Sequence, residues 1–518
     1  MSLNHGKVYL VGAGPGDPGL LTRRGAEVLA LADVVIYDHL ASARLLDLAP
    51  PAARRICAGK SSGHCVLDQD QIHALMLEHS IDGKTVVRLK GGDPLVFGRG
   101  AEEAELLSGH GIPFEIVPGV TAGVGVTAYA GIPVTHRGIS SAVAFVTGHG
   151  DPEEGTGQGP SGSARGGLDW SALARFPGTL VVYMGVTYLP GICRTLIREG
   201  RPGNEPAVVI ESGTLPRQRL VEGTLATIAK LAQDRSIHAP ALLLVGPVAS
   251  KRTVMRWYEN RPLFGQRIVV TRPLAEARAS VPALEALGAE VLLAPAIEIR
   301  PISNPGPVDE AVGRLDRYDW IVFTSANGVR FFLDRLLHLG KDLRSLGGIR
   351  LAAIGPGTAQ ALFNYHLRAD LVPPSFRSES LVDALLQQAS GDRILLARAD
   401  RGRQILKEEL EKRAEVDQVA VYQNADADEL SGEVIERIEQ GDVDWITLTS
   451  SAIAARFHAL LPDRAKARVA RQIGIASLSP VTSGTIRDLG WEPAVEASTY
   501  TWEGLVQAIV VAVAARRT

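Results

Sequence analysis

KVYLVGAGPGDPGLLTRRGAEVLALADVVIYD, residues 7–38, decides the fold. It opens on an apolar, β-branched run (KVYLVGAG), passes through a stretch with helical spacing (LLTRRGAEVLALA) and closes on a second apolar run (DVVIYD). Strand, helix and strand in that order form the repeating unit of a parallel sheet. The rhythm continues through a helix-like stretch into TVVRLKGG at 85–92, and after a gap in TLVVYMG at 179–185, AVVIESG at 207–213 and ALLLVGPV at 241–248. The expected class is α/β, with helices packed around a mainly parallel sheet.

At 518 residues the chain exceeds what one hydrophobic core serves, since cores stop growing at roughly 250–300 residues. GDPEEGTGQGPSGSARGG, residues 150–167, has a glycine, serine and charge content that does not pack, and reads as a flexible insertion. SKRTVMRWYENRPLF closes the first half with basic and aromatic residues, and GQRIVVTRP opens a fresh strand at Gly265. The expected division is a first domain over 1–250, a linker over 251–264 and a second domain over 265–518.

The second domain repeats itself. GQRIVVTR at Gly265 aligns with GDRILLAR at Gly391; YDWIVFTSANGVRFF aligns with VDWITLTSSAIAARF; AIGPGTAQAL aligns with SLSPVTSGTI. One match between α/β units means little, but three in order with identities such as Asp-Trp-Ile and Thr-Ser imply two similar halves, about 265–390 and 391–518, with a binding cleft between them.

Basic and acidic residues number 54 and 57, too balanced for a nucleic-acid binder that works by releasing counterions. The N-terminus has no charged lead, apolar stretch or cleavage site, and no run approaches the roughly 18 apolar residues of a spanning helix, so no membrane contact and a cytoplasmic location are expected. Cys57, Cys65 and Cys193 have no CxxC spacing, and His64, Cys65 and His73 match no standard ligand pattern, so no metal is expected.

VGAGPGD, residues 11–17, follows a strand but fits a dinucleotide fingerprint poorly: Asp17 stands where the third glycine belongs, and Pro15 lacks an N–H for a phosphate. It suits a ligand with a ribose and no phosphate, or a plain tight turn. RLKGGDPLVFGRG at 88–100 puts Gly91 and Gly92 directly after a strand, where a ligand can approach backbone, with Asp93 as an acceptor. VPGVTAG at 117–123 and TLVVYMG are further strand ends of this kind. Open α/β sheets bind ligands beyond such ends, so the loops imply one shared site.

VGAGPGDPGLLT, VVIYDHL, RLKGGDPLVFGRG, PGVTAG, GIPVTHRG and VVYMG together resemble, in order and spacing, the tetrapyrrole methylase family, most closely uroporphyrinogen-III C-methyltransferase, over residues 6–250. The resemblance implies a two-lobed α/β fold holding S-adenosylmethionine, released as S-adenosylhomocysteine, and a homodimer formed through this module. It places Pro15, Gly91, Gly92, Asp93, Val96, Thr121, Ala122, Met184 and Gly213 at the cofactor, with Asp38 as proton acceptor and Lys60 as proton donor. A helix cap is the plainer alternative for Asp38, and a solvated lysine for Lys60. An electron-rich pyrrole carbon attacks the sulfonium methyl directly, so alignment matters more than a protein nucleophile. Arg99, His136 and Arg137 are candidate anchors for a carboxylate-rich macrocycle, with Arg–carboxylate pairing inside the chain as the equal alternative. No oxidation or iron-insertion module is expected ahead of this one.

GQRIVVTRPLAEA, FTSANGV, AIGPGTAQAL, DQVAVYQ and LSPVTSGTIRDLG resemble uroporphyrinogen-III synthase over about 265–515, as a duplicated Rossmann-like pair. That implies a cofactor-free enzyme closing hydroxymethylbilane with inversion of its last ring. Thr271, Arg272 and Ser325 fall at substrate-binding positions, Tyr422 is the candidate for loss of the hydroxyl, and Thr482 for a hydrogen bond to substrate; the plainer alternatives are helix caps for Ser325 and Thr482 and a half-buried strand aromatic for Tyr422. Arg398, Arg401 and Arg403 form a basic cluster that either meets substrate carboxylates or is merely solvated. The competing readings are a methylase of another corrin intermediate and an inactive ligand-binding regulator.

Overall fold

The computed structural model describes residues 5–59, 67–149, 168–375, 378–389, 391–400 and 405–517. Lys60, His64, Cys65, the insertion at 150–167, Arg401 and Arg403 lie outside the described residues. The chain divides into two compact units, one of residues 1–266 with 283–290, the other of 267–282 with 291–518.

In the first unit β1 (Val8–Gly12), β2 (Val34–Tyr37), β3 (Arg54–Cys57), β4 (Val86–Lys90) and β5 (Phe114–Val117) form a sheet in the spatial order β3-β2-β4-β1-β5, with every pairing parallel. β1 and β4, at its middle, are buried along their whole length, as strands covered on both faces must be. Val11, Val28, Leu29 and Leu89 pack in one flanking core; Val8, Ile36, Met76, Val86 and Leu107 pack in another. Helix Gln69–Ile81 starts on a capping box in which Asp68 accepts from the Gln71 N–H at 2.8 Å and the Gln71 side chain accepts from the Asp68 N–H at 2.9 Å.

A second sheet takes β6 (Val143–Thr147), β7 (Thr179–Tyr183), β8 (Pro206–Glu211), β9 (Arg219–Thr224) and β10 (Ala241–Val245) in the order β6-β7-β10-β8-β9. Here the expectation of mainly parallel strands fails, for only β6 and β7 run parallel. Residues 212–218 join β8 to β9 and are too few for a crossover, so that pair must be antiparallel.

Residues 251–264 are not a linker. Tyr258 and Leu263 are buried. Trp257 Nε1 donates to the Ala128 carbonyl at 3.0 Å, and Arg252 donates to the Ala130 carbonyl at 2.7 Å while pairing with Glu222 at 2.8 Å and with Glu259. The basic and aromatic residues that set this segment apart in the sequence are the groups that strap it onto the first unit.

The second unit contributes β11 (Arg267–Val270), β12 (Glu290–Leu293), β13 (Ile297–Pro301), β14 (Trp320–Phe323), β15 (Arg350–Ala353), β16 (Arg393–Ala399), β17 (Glu415–Asp426), β18 (Trp445–Leu448), β19 (Gly474–Ser477) and β20 (Val495–Glu496). They form two sheets, β12-β11-β18-β19-β20 and β13-β17-β16-β14-β15. The two contiguous halves expected at 265–390 and 391–518 are therefore corrected. After β12 the chain leaves the first of these sheets, builds the whole of the other from 297 to 426, and returns for β18 to β20.

The repeat itself survives this exchange, because β11, β18 and β19 lie side by side as β16, β14 and β15 do. Its Asp-Trp identity has a structural cause. Asp444 accepts from the Arg267 N–H at 2.8 Å, and Asp319 from the Arg393 N–H at 2.8 Å, so each carboxylate fixes the start of the neighbouring strand. Trp445 and Trp320 follow, each fully buried.

Candidate active site

In the first unit the loops leaving β1, β4 and β5 meet backbone to backbone. Gly14 and Gly92 exchange both main-chain hydrogen bonds, at 3.1 and 2.8 Å. A Cβ on Gly119 would lie 2.2 Å from the Gly92 carbonyl oxygen, and one on Gly12 would lie 2.5 Å from the Gly119 Cα, so no side chain fits at either position. Asp93 locks the arrangement: Oδ1 accepts from the Leu95 N–H at 2.8 Å and Oδ2 from the Gly119 N–H at 2.9 Å. Its oxygens thus serve the loops.

The remaining cofactor candidates gather on helix Ala122–Tyr129. The Pro15 ring lies against it, 2.7 Å from where a Gly125 Cβ would stand, and a Cβ on Gly213 would fall 2.2 Å from Val126. Thr121 is its N-cap residue. Tyr183, which the sequence reading passed over, binds this helix start: its hydroxyl accepts from the Gly123 N–H at 2.6 Å and lies 2.7 Å from Thr121 Oγ1. Its ring sits 4.8 Å from that of Phe97, and Val96 and Ala122 pack in the same apolar cluster. Burial pushes the Tyr183 phenol above its ordinary range.

Met184 follows in the left-handed region (φ 54°), as do Phe97, Arg99, Ser212 and Thr214. Among the described residues only Ser236 and His366 join these five as non-glycine residues of that kind, and strain of this sort collects at functional loops. Leu40, Leu95, Phe97 and Met184 are exposed beside these strand ends. These side chains form an apolar rim beside the tightly packed glycine loops.

Asp38 follows β2 and keeps 29% of its side chain exposed. Arg88 Nη2 donates to Oδ1 at 2.5 Å and the Gly91 N–H to Oδ2 at 3.4 Å, so the carboxylate borders the glycine loop and caps no helix. Arg99 is exposed and paired with Glu102 at 2.6 Å. His136 closes a turn with Ser140 through two backbone hydrogen bonds of 2.9 Å, and Arg137 beside it is exposed.

In the second unit, helices Ala326–His338, Pro356–Asn364, Ser451–Leu460 and Pro480–Asp488 start directly after β14, β15, β18 and β19, capped at Ser325, Gly355, Ser450 and Ser479. Ser325 Oγ accepts from the Gly328 N–H at 2.9 Å, so its capping role is real, and it lies 3.0 Å from the Tyr422 hydroxyl. Tyr422 is buried and stacked on Phe331, their rings 5.6 Å apart; burial raises its phenol above the usual range. The same cause lowers the buried Arg398 guanidinium, whose charge acts on Tyr422. Arg272 donates to Glu276 at 2.7 Å, and Glu276 also accepts from Asn327 at 3.2 Å, linking the helix after β11 to the helix after β14.

Two substrate candidates are corrected here. The Thr271 hydroxyl is fully buried and donates to the Thr447 carbonyl at 2.5 Å, tying β11 to β18. Thr482 is buried too, with its hydroxyl 3.1 Å from Ser479 Oγ; the cap is Ser479. Among the described residues no group of three His, Cys, Asp or Glu could hold a metal ion, and no helix is long and apolar enough to cross a membrane.

The first unit is thus an α/β unit whose strand-end loops pack glycine against glycine, with the partly exposed Asp38 carboxylate at their border. It is joined to a duplicated α/β unit of a different kind. Residues 7–229 match the model of the tetrapyrrole (corrin/porphyrin) methylases, and residues 278–507 that of uroporphyrinogen-III synthase. A porphyrin biosynthesis protein HemD of Ruminiclostridium josui is 37% identical over 89% of this chain and 90% of its own length. A uroporphyrinogen-III C-methyltransferase of Bacillus subtilis is 40% identical over 67% of this chain and 69% of its own. The crystal structure of a uroporphyrin-III C-methyl transferase from Thermus thermophilus, complexed with S-adenyl homocysteine, is 41% identical, covers 47% of this chain and 99% of its own, and superposes with a TM-score of 0.39. The chain belongs to both families: it is a tetrapyrrole methylase of the uroporphyrinogen-III C-methyltransferase type continued by a uroporphyrinogen-III synthase, and so a bifunctional enzyme of tetrapyrrole biosynthesis.

Proposed function

We propose that the first unit takes its methyl group from S-adenosylmethionine, methylates uroporphyrinogen III at C2 and C7 to precorrin-2, and uses Asp38 as the proton acceptor. The observation that carries this reading is the backbone contact of Gly12, Gly14, Gly92 and Gly119 with Asp38 at its border. Bound there, the sulfonium supplies an electrophilic methyl. The loops carrying Pro15, Gly91 to Asp93, Thr121, Ala122 and Gly213 hold the reactants in line, and the rim of Val96 and Met184 keeps water away. As the ring carbon forms its bond to the methyl, a ring proton becomes acidic and passes to the Asp38 carboxylate. Lys60 is the donor that the family pattern supplies. Arg99, His136 and Arg137 pair with substrate carboxylates from the surface.

In the second unit Tyr422, with Ser325 and Arg272, acts on hydroxymethylbilane without a cofactor. The paired Tyr422 and Ser325 hydroxyls supply a proton donor for the departing hydroxyl, and Arg398 beside them offsets negative charge. A homodimer through the first unit and a cytoplasmic location complete the reading and rest on family likeness.

The test supplies purified chain with hydroxymethylbilane and S-adenosylmethionine, and follows products by absorbance and mass. Dimethylated type III product is expected; unmethylated type I ring alone sinks both assignments.

A further inference from the structure

β4 reads VVRLK, and its alternation puts Arg88 and Lys90 on one face of a central strand. Both are almost wholly buried, at 3 and 4% of their side-chain surface. Two cations side by side in a sheet interior are costly unless anions answer them. One answer comes from Glu103, in the first turn of helix Gly100–Gly109, with no exposed side-chain surface. Its Oε1 accepts from Lys90 Nζ at 2.8 Å, from Arg88 Nε at 3.2 Å and from Gln69 Nε2 at 3.3 Å. Its Oε2 is buried without a hydrogen-bond partner. Three donors on one oxygen and none on the other mean that the cluster needs the charge of this group more than its bonding capacity.

The second anion is Asp38. Arg88 is shared between the two carboxylates, with Nε on Glu103, Nη2 on Asp38 at 2.5 Å and Nη1 directed at the Ile36 and Leu89 carbonyls at 3.4 Å each. The guanidinium is planar and rigid, so fixing one edge on Glu103 fixes the direction in which the other presents its donor. Of the four charged groups only Asp38 keeps substantial exposure. Burial lowers the Lys90 ammonium, as expected of a cation that depends on a neighbouring carboxylate.

We propose that Glu103 is a positioning residue for methyl transfer: through Arg88 it fixes the orientation of the Asp38 carboxylate, and with Lys90 it keeps the buried cluster neutral. The inference rests on the reading of Asp38 as proton acceptor. Glu103 has no exposed side-chain surface to offer a reactant, so its loss acts on turnover and leaves binding alone.

The experiment measures kcat and both KM values for Glu103→Gln, Glu103→Asp and the charge-balanced Lys90→Met/Glu103→Gln pair in the full chain, with S-adenosylhomocysteine calorimetry on each. Glu103→Gln is expected to lower kcat by about 10- to 100-fold, the scale of a mispositioned general base, with both KM values and the calorimetric affinity within about twofold of wild type. Glu103→Asp and the balanced pair are expected to recover a large part of the loss. Where Glu103→Gln does not fold, the balanced pair decides alone: folded protein with kcat within about threefold of wild type supports the inference, and a folded pair as inactive as Asp38→Asn overturns it. A Glu103→Gln enzyme with unchanged kcat, or with cofactor affinity lost in step with kcat, also overturns it. Asp38→Asn separates the two levels of the argument. If that variant keeps full activity the proton-acceptor reading fails, whereas an inactive Asp38→Asn beside a fully active Glu103→Gln sinks only the positioning role.

Discussion

Tyr129 and Asp17 tie helix Ala122–Tyr129, which packs on the second sheet, to the loop after β1: the phenol at the end of the helix donates to Asp17 Oδ2 at 2.7 Å. Burial and that carboxylate together push the phenol far above its ordinary range. The Asp17 N–H in turn donates to Thr214 Oγ1, and the Thr214 carbonyl accepts from Tyr258, both at 3.0 Å. Asp17 follows Pro15 by two residues and Thr214 follows Gly213 by one, so the segment at 251–264 reaches two of the loops proposed to hold the cofactor through this chain of bonds.

Tyr129→Phe leaves the Asp17 acceptor unanswered in a part-buried site, which costs about 1–3 kcal/mol. The expected result is a lower melting temperature and an S-adenosylhomocysteine affinity weakened roughly tenfold, about 1.4 kcal/mol. Calorimetry and thermal melting check it. Unchanged affinity in a destabilised protein sinks the link from strap to loops.

Gly119→Ala tests the backbone contact. The added methyl would stand 2.2 Å from the Gly92 carbonyl oxygen, and neither neighbour is a side chain able to turn away. The loops must part, so adenosyl-ligand binding is expected to fall below detection while synthase turnover stays within about twofold of wild type. Retained binding in calorimetry sinks the claim that this contact shapes the pocket.

His79 sets an acid limit on the first unit. It is 1% exposed and neither ring nitrogen has a hydrogen-bond partner, and burial lowers its pKa below the usual 6.5. Above that value the ring is neutral both folded and unfolded, and makes no pH-dependent contribution. As pH falls through 6.5 the unfolded chain takes up a proton that the folded ring refuses, so stability drops until the folded pKa is reached. His79→Leu is expected to flatten the fall in urea midpoint between about pH 7.5 and 5.5. An equally steep fall in the variant assigns the limit to other groups.

Glycine at several strand ends marked these loops in the sequence, but the use expected of it was approach by a ligand, whereas Gly12 and Gly119 are taken up by the backbone of neighbouring loops. Arg88 and Glu103 were not singled out, since charges within an apolar strand and a helix first turn look alike whether solvated or paired; only the fold brings them within 3.2 Å. Tyr183 was quoted inside VVYMG, but nothing local says that its hydroxyl caps a helix starting some 60 residues earlier. The duplicated halves were visible as a repeat, but which strand neighbours which depends on hydrogen bonds across 177 residues, as between Arg267 and Asp444. The Thr271 and Thr482 hydroxyls make structural ties, a use that the sequence leaves open for any hydroxyl at a strand or helix end.

Tyr422 and Ser325 yield the most direct test of the second unit. Their hydroxyls lie 3.0 Å apart, but Ser325 also caps its helix and Tyr422 stacks on Phe331, so deleting each oxygen has a different cost. Ser325→Ala loses the cap, about 1 kcal/mol of stability, and disturbs the phenol indirectly. Tyr422→Phe keeps the stacked ring and removes only the donor. If the phenol acts in loss of the substrate hydroxyl, Tyr422→Phe is expected to slow formation of the type III ring by about 10- to 100-fold with little change in melting temperature, and the fraction of spontaneously closed type I ring to rise. Methylation of added uroporphyrinogen III is expected to be untouched, which separates a lesion in the second unit from damage to the whole chain. Full cyclisation rate in Tyr422→Phe assigns the departure step to another donor and leaves Tyr422 a packing residue.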